Sequence, residues 1–233
     1  MISLKTESSP TRELELLSKV ALFSGLDRAE LMTLADCLER RRYAPGECVV
    51  HQGDMVRNVW FVLAGSVKHR FVSSAGRELI VRWHKPGHLF GLRSLVTGGL
   101  QPADVVAMEP TELFVMTSEQ LANFLDMHPK ATQALVWYLV ERIHNLSQRL
   151  QNHVFLTVQQ RLAALLCEFA HIDGEHSVIH LSQFDLAALL GTSRETVNVW
   201  LRFFERKTWI ERKRRYITIT QLETLREYAW PKD

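Results

Sequence analysis

The sequence predicts an α+β protein: a jelly-roll β-barrel, then one long helix, then a winged helix-turn-helix. Three observations carry that prediction. Residues 49–116 are short apolar runs cut by turn residues roughly every ten positions, the pattern of antiparallel strands that close into a barrel or double sheet. After Pro129 an apolar seam recurs at steps of three and four as far as His153. From Leu181 to Phe204 two short helices are hinged at Gly191, and a basic turn between two short apolar runs follows.

At 233 residues the chain can hold one large domain or two small ones, and 46% hydrophobic content is ordinary for a globular protein. A net charge of +2 means that any affinity for nucleic acid has to come from where charge is placed. Cys37, Cys48 and Cys167 stand far apart, with no pair at metal-ligand spacing, so no metal site is expected and a reducing cytoplasm is. The N-terminus is polar and helical and lacks an apolar core before a cleavage site, and no stretch approaches membrane-spanning length. A cytoplasmic protein without a membrane partner is expected. No nucleophile elbow, paired-histidine metal motif or phosphate loop is present, which speaks against an enzyme.

In chain order, residues 1 to 18 form a polar lead-in, and Leu22-Phe23 with Gly25-Leu26 opens a helix carrying Leu31, Leu34 and Leu38. Strands are expected at Val59 to Leu63, Val67 to Val72, Leu79 to Trp83, Val105 to Met108 and Leu113 to Met116. Gly53-Asp54, Ala64-Gly65, Ser73 to Gly76, Pro86-Gly87 and Gly98-Gly99 punctuate them. Ser118 to Leu125 reads as a short helix. The long helix from Pro129 carries the seam Val136, Leu139, Ile143, Leu146, Leu150 and His153, a heptad pattern. Such a seam either pairs with a partner helix or lies on the barrel; Glu141, Asn145, Arg149 and Asn152 around it favour self-pairing. His153 at its end is either a proton-sensitive spot or an exposed, inert side chain.

Phe155 to Ala170 reads as the next helix, with Leu162, Leu165, Leu166 and Phe169 on one side, His171 to Gly174 as a polar connection, and Val178 to Leu181 as a strand pairing with the wing. Ser182 with Asp185, and Thr192 with Glu195, have the spacing of helix caps, the second pair as a capping box. Leu186, Leu189 and Leu190 face Val197, Leu201 and Phe204. Opposite that stripe the second helix carries Arg194, Asn198 and Arg202, side chains able to pair arginine with guanine and asparagine with adenine in a major groove. Between Arg202 and Arg215 seven basic residues (Arg202, Arg206, Lys207, Arg212, Lys213, Arg214, Arg215) stand against Glu205 and Glu211, an excess of five suited to phosphates. Trp209-Ile210 and Tyr216 to Ile219 read as the wing strands, and Leu222 to Tyr228 as a closing helix.

The run GTSRETVNVWLRFFE at 191–205, preceded by FLTVQQRLAALL at 155–166, resembles the winged helix-turn-helix of the Crp-Fnr family of bacterial regulators, typified by the cyclic-AMP receptor protein and the fumarate-nitrate regulator. YAPGECVVHQGD at 43–54, FVLAGSVK at 61–68 and the turn from Pro86-Gly87 to Gly91 resemble the same family's sensory barrel, so the likeness spans nearly the whole chain. It implies a homodimeric, sequence-specific DNA-binding transcription regulator. The implied parts are a sensory domain over 1–127 with a cyclic-nucleotide-binding-like fold, a parallel dimerisation helix over 128–154 and a DNA-binding domain over 155–233. The partners would be near-palindromic double-stranded DNA and RNA polymerase. Thr192 and Ser193 would position phosphate, Arg194 and Glu195 would contact bases or hold the arginine, and Lys213, Arg214 and Arg215 would clamp the backbone beside Asn198 and Arg202.

Several positions depart from the family pattern. Val199 stands where a further arginine is usual, and Thr208-Trp209 where a glycine precedes the wing. The candidate effector pocket is Gly91, Leu92, Arg93, Ser94 and Gln101, but Leu92 replaces the glutamate that accepts a ribose hydroxyl, and Gln101 to Ala103 replace the arginine and serine that hold a cyclic phosphate. Arg93 and Ser94 stand nearby but out of register, so a rebuilt anion site stays open, while classical binding of cyclic AMP is not expected. Nor is an iron–sulfur cluster, for want of the N-terminal cysteines. Haem stays open through His51, His69, His84 and His88, and the effector is otherwise unknown or absent. A second reading, motivated by Val199, is a ligand or gas sensor that has lost sequence-specific DNA contacts.

Overall fold

A computed structural model describes residues 10–96, 99–173, 176–214 and 216–231, which divide into two units, one of residues up to 71 with 81–143 and one of 72–80 with 144 onward. Gly98 of the expected Gly98-Gly99 turn lies outside the described residues. The first opens with α1 (Pro10–Ser18) and α2 (Arg28–Asp36). Asp27 caps α2: its carboxylate accepts the Glu30 amide at 2.9 Å and Glu30 reciprocates, which delays the helix start to Arg28. Leu22 and Phe23 instead form a 3-10 turn, and Leu38 falls past the helix end.

Eight strands follow among the described residues: β1 (Glu39–Tyr43), β2 (Cys48–Val50), β3 (Asn58–Ala64), β4 (Val67–Val72), β5 (Glu78–His84), β6 (Leu89–Phe90), β7 (Asp104–Ala107) and β8 (Thr111–Thr117). They form two four-stranded antiparallel sheets, ordered β1-β8-β3-β6 and β2-β7-β4-β5, the expected jelly roll. Central β3 is buried from Val59 to Leu63, because both of its faces are covered. Its Phe61 lies 4.9 Å from Phe23 by ring centroid, tying the N-terminal turn to the sheet. Strand β1, Glu-Arg-Arg-Arg-Tyr, has no apolar alternation and looks in sequence like a charged loop. It is an edge strand whose Arg40 and Arg42 pair with Glu112 on β8, the latter at 2.7 Å.

Thr117 caps α3 (Ser118–Met127), and α4 (Pro129–Phe155) follows. At 27 residues α4 is about 40 Å long, yet it buries only Ala131. Tyr138 and Arg142 on its first half reach back to the Leu89 carbonyl at 3.0 and 3.3 Å. The seam is left uncovered in the single chain: Ile143, Leu146 and Leu150 are 65%, 62% and 65% exposed. Exposed His153 meets Arg161 through Nδ1, and arginine only donates, so that nitrogen is the acceptor.

The second unit contains α5 (Val158–Phe169), β9 (His171–Asp173), β10 (His176–Ile179), α6 (Gln183–Leu190), α7 (Arg194–Arg206), β11 (Ile210–Arg212), β12 (Ile217–Ile219) and α8 (Leu222–Ala229). Phe155 ends α4 and does not open α5, because Thr157 is the N-cap and forms a capping box with Gln160. Residues 171–173, read from sequence as a connection, form the edge strand of a sheet ordered β11-β12-β10-β9. Val178 faces Thr218 across β10 and β12, the expected pairing with the wing.

Phe61→Ala is expected to cost about 3–5 kcal/mol, the range for deleting a buried aromatic ring. Faster hydrogen exchange of β3 and β8 amides, with α6 and α7 amides unchanged, is the measurement that checks it.

Candidate nucleic-acid interface

Ser182 caps α6, its hydroxyl accepting the Asp185 amide at 3.1 Å. The helix ends at Gly191, whose φ of +66° is the left-handed conformation that glycine adopts without a Cβ penalty. The next amide, Thr192 N–H, donates back to Ala187 at 3.0 Å. That bond draws Thr192 into the turn, so the expected Thr192–Glu195 capping box does not form. Ser193 is the N-cap, with extended backbone, and its hydroxyl accepts the Thr196 amide at 3.1 Å. Glu195 lies exposed in the first turn of α7, and hydrogen bonds from its own amide and the Ser193 hydroxyl hold its carboxyl below the usual range.

Val197, Leu201 and Phe204 on α7 are fully buried, and Leu186 and Leu190 of adjoining α6 are buried as well. Burial of that stripe turns the opposite face outward: Arg194 and Arg202 are exposed and Asn198 is half-buried. Exposed Val199, at 59%, sits beside them. Arg206, Lys207 and Arg214 are exposed as well. Arg215 lies outside the described residues.

Among the described cations of this segment, Lys213 and Arg212 form ion pairs within the protein. Lys213 pairs with Glu211, which raises its pKa, and its amide closes the wing turn onto the Tyr216 carbonyl at 2.9 Å. Arg212, counted from sequence only as wing charge, reaches back to α7. Its Nε and Nη2 donate to Glu205 Oε2 at 2.9 and 2.6 Å, and its Nη1 donates to Asn198 Oδ1 at 3.0 Å. The guanidinium in turn holds the Glu205 carboxyl below its ordinary pKa. A seven-residue separation between Glu205 and Arg212 across a turn carries no sequence signal, so this pair was not legible.

Thr208 supplies the turn for which the family uses glycine. It takes φ +59°, unusual for a β-branched residue, and is held there because its carbonyl accepts the Thr220 hydroxyl at 2.6 Å. The following Trp209 is not part of the wing strand as expected. It stacks on Phe204 at 5.7 Å and meets Tyr228 at 5.1 Å, and the strand begins one residue later, at Ile210.

In the barrel, Gly91, Leu92, Arg93 and Ser94 lie together on a 3-10 turn, Leu92 packed on the core. A Cβ on Gly91 would come within 2.5 Å of the Asn58 carbonyl and 2.9 Å of the Trp60 ring. The Ser94 hydroxyl faces the Gly91 carbonyl at 2.8 Å. Buried Gln101 lies on another segment, its backbone N–H donating to the Asp54 backbone carbonyl at 2.8 Å. His69 and His84, fifteen residues apart with no spacing signal to join them, are buried side by side at 4.7 Å between ring centroids, both against Phe90, which stacks on Trp60 at 5.2 Å. Trp60 Nε1, His69 Nε2 and both His84 nitrogens have no hydrogen-bond partner among the described residues. Burial pushes His69 down to about 3 and His84 well below the usual imidazole range, so both rings are neutral. His51 is exposed near Asp54. Among the described residues no three His, Cys, Asp or Glu group as metal ligands, and no helix is long and apolar enough to cross a membrane.

A winged helix-turn-helix with an outward polar row, following a jelly roll, defines a DNA-binding regulator with a sensory domain. The chain matches the cyclic nucleotide-binding domain family over residues 40–128 and the Crp-like helix-turn-helix domain family over 160–228. It is similar to the cyclic AMP receptor protein of Thermus thermophilus, at 30% identity over 76% of this chain and 82% of that protein. It is also similar to the CRP-like cAMP-activated global transcriptional regulator of Mycobacterium tuberculosis, at 25% over 92% and 99%. Among solved structures, the Thermus thermophilus catabolite activator protein gives a TM-score of 0.51 at 28% identity, covering 90% of this chain and 98% of its own. The c-di-GMP responsive global regulator of Xanthomonas campestris shares the fold, with a TM-score of 0.73 at 20% identity over 83% and 99%. The chain belongs to the Crp-Fnr family and is a DNA-binding transcription regulator of that type.

The side chain of Leu92, packed on the core, cannot accept a ribose hydroxyl, and Gln101, Pro102 and Ala103 supply no cation; Arg93 is the cation on the neighbouring turn.

Thr208→Gly is expected to raise the stability of the second unit by about 1 kcal/mol, since the left-handed conformation costs a non-glycine residue about that much. Hydrogen exchange of the β11 and β12 amides reads the gain; faster exchange would show that the Thr208 hydrogen bonds outweigh the strain.

Proposed function

We propose that this regulator works as a homodimer joined through α4, reading a near-palindromic duplex with two copies of α7 in successive major grooves. The observation that carries this reading is the outward row Arg194, Asn198 and Arg202, set opposite the fully buried Val197, Leu201 and Phe204. Thr192 and Ser193 flank the row at the helix start, where amides and the helix dipole favour phosphate, and Glu195 contacts a base or holds Arg194. Lys213 and Arg214, with Arg215, serve the DNA backbone. The reading divides the chain into a sensory domain over 1–127, a dimer helix over 128–154 and a DNA-binding domain over 155–233, works in the cytoplasm, and acts on RNA polymerase. The effector is something other than a cyclic phosphate. The unpartnered, neutral nitrogens of His69, His84 and Trp60 favour the barrel interior over the Gly91, Leu92, Arg93, Ser94 and Gln101 set as its seat.

Arg194→Ala is expected to cost about 1–3 kcal/mol of discrimination between selected and random duplex, while Lys213→Ala lowers affinity for both alike. Equal losses for Arg194→Ala on both duplexes would count against base readout. The seam is tested separately: Ile143→Asp places a charge in the heptad line and should convert the dimer to a monomer by sedimentation, with half-site contacts weakened together. A wild-type chain that sediments as a monomer even with duplex present would defeat the dimer.

A further inference from the structure

Asn198 is the one member of the outward row whose side chain is held from within the protein. Arginine has five N–H donors and no acceptor, so the Asn198 atom facing Arg212 Nη1 at 3.0 Å is necessarily the carbonyl Oδ1. The guanidinium cannot turn away, because Nε and Nη2 both bind Glu205, and the Arg212 backbone amide also points at Glu205 Oε1, at 3.4 Å. Arg212 itself is fixed in register on β11, opposite Ile217 of β12. Three residues from helix and wing therefore set which end of one amide is which. With Oδ1 turned to the wing, the opposite end of the amide, the Nδ2 donor, is the end presented to a base.

We propose that Arg212, braced by Glu205, is a specificity-determining positioning residue: it locks Asn198 as a donor toward the base, so that the facing base must offer an acceptor in the major groove. This rests on α7 being the groove-reading helix. Guanine, adenine and thymine each present an acceptor there, at N7, O6 or O4, whereas cytosine presents only its N4 donor. The lock thus rejects cytosine at one position of each half-site. An unlocked asparagine can rotate its amide by a half turn and accept from cytosine. Arg212 accordingly acts through Asn198, and its charge, neutralised by Glu205, adds little to phosphate binding.

The test is selection from random duplex by the full-length protein, with affinity measured on the selected site and its single-base variants. Asn198→Ala should flatten preference at one half-site position. Arg212→Met should admit cytosine at that same position, raising its relative affinity on the order of 10-fold, the scale of one lost base discrimination. Arg212→Lys keeps the charge but has a single ammonium that cannot bridge Glu205 and Asn198 with a planar fork. It should behave like Arg212→Met, and the double variant Arg212→Met/Asn198→Ala should match Asn198→Ala alone. The salt dependence of binding should be the same for all four. The proposal is overturned if Arg212→Met weakens every sequence in equal proportion with a shallower salt slope, the signature of a lost phosphate contact. It is also overturned if the position that changes is one Asn198→Ala leaves alone, or if Arg212→Lys retains the rejection of cytosine. A wild-type protein that enriches no motif would instead defeat the groove-reading role of α7, and the lock with it.

Discussion

Phe204 is where the C-terminal unit is held together. Its ring is fully buried on the inner face of α7, stacks on Trp209 at the entry to the wing, and meets Tyr228 of α8 edge-on at 5.7 Å. Because Phe204, Leu201 and Val197 occupy one stripe, fixing that stripe also fixes the opposite face and so aims Arg194 and Arg202. The wing's starting point is set by the same ring, through Trp209. An aromatic contact thus determines where the charged groups stand.

The elements legible in the sequence are those whose signal is local. The seam on α4, the strands with apolar runs and the hinge at Gly191 can be read from spacing alone, since periodicity and the left-handed glycine are properties of neighbouring residues. What escaped the reading depends on residues distant in sequence or on competition between neighbours. Strand β1 looks like a charged loop until Glu112 on β8 receives its arginines. Thr192 has the composition of a cap, but the hydrogen bond to Ala187 claims it for the turn and passes the cap to Ser193. In the same way Arg212 counts as one more basic residue until the hairpin folds it onto Glu205.

The barrel has kept the family's architecture and changed its chemistry. Leu92 packs on the hydrophobic core where an acceptor would be needed, and the buried polarity has moved to the imidazoles of His69 and His84 and the indole of Trp60, around Phe90. Buried nitrogens without a protein partner are destabilising, by about 1–3 kcal/mol each, so an interior of this kind is not one selected for packing alone. Both rings are neutral there, which leaves each with a lone pair as well as a proton, so this interior can accept hydrogen bonds as well as donate them.

The backbone at Thr208 has a mechanical side. A threonine held at φ +59° stores on the order of 1–2 kcal/mol that the extended basin would release. The hairpin that begins at β11 is thus mounted on a loaded spring, latched by the Thr220 hydroxyl. Any rearrangement that unlatches it and lets residue 208 unwind begins with part of the work of swinging the hairpin already done.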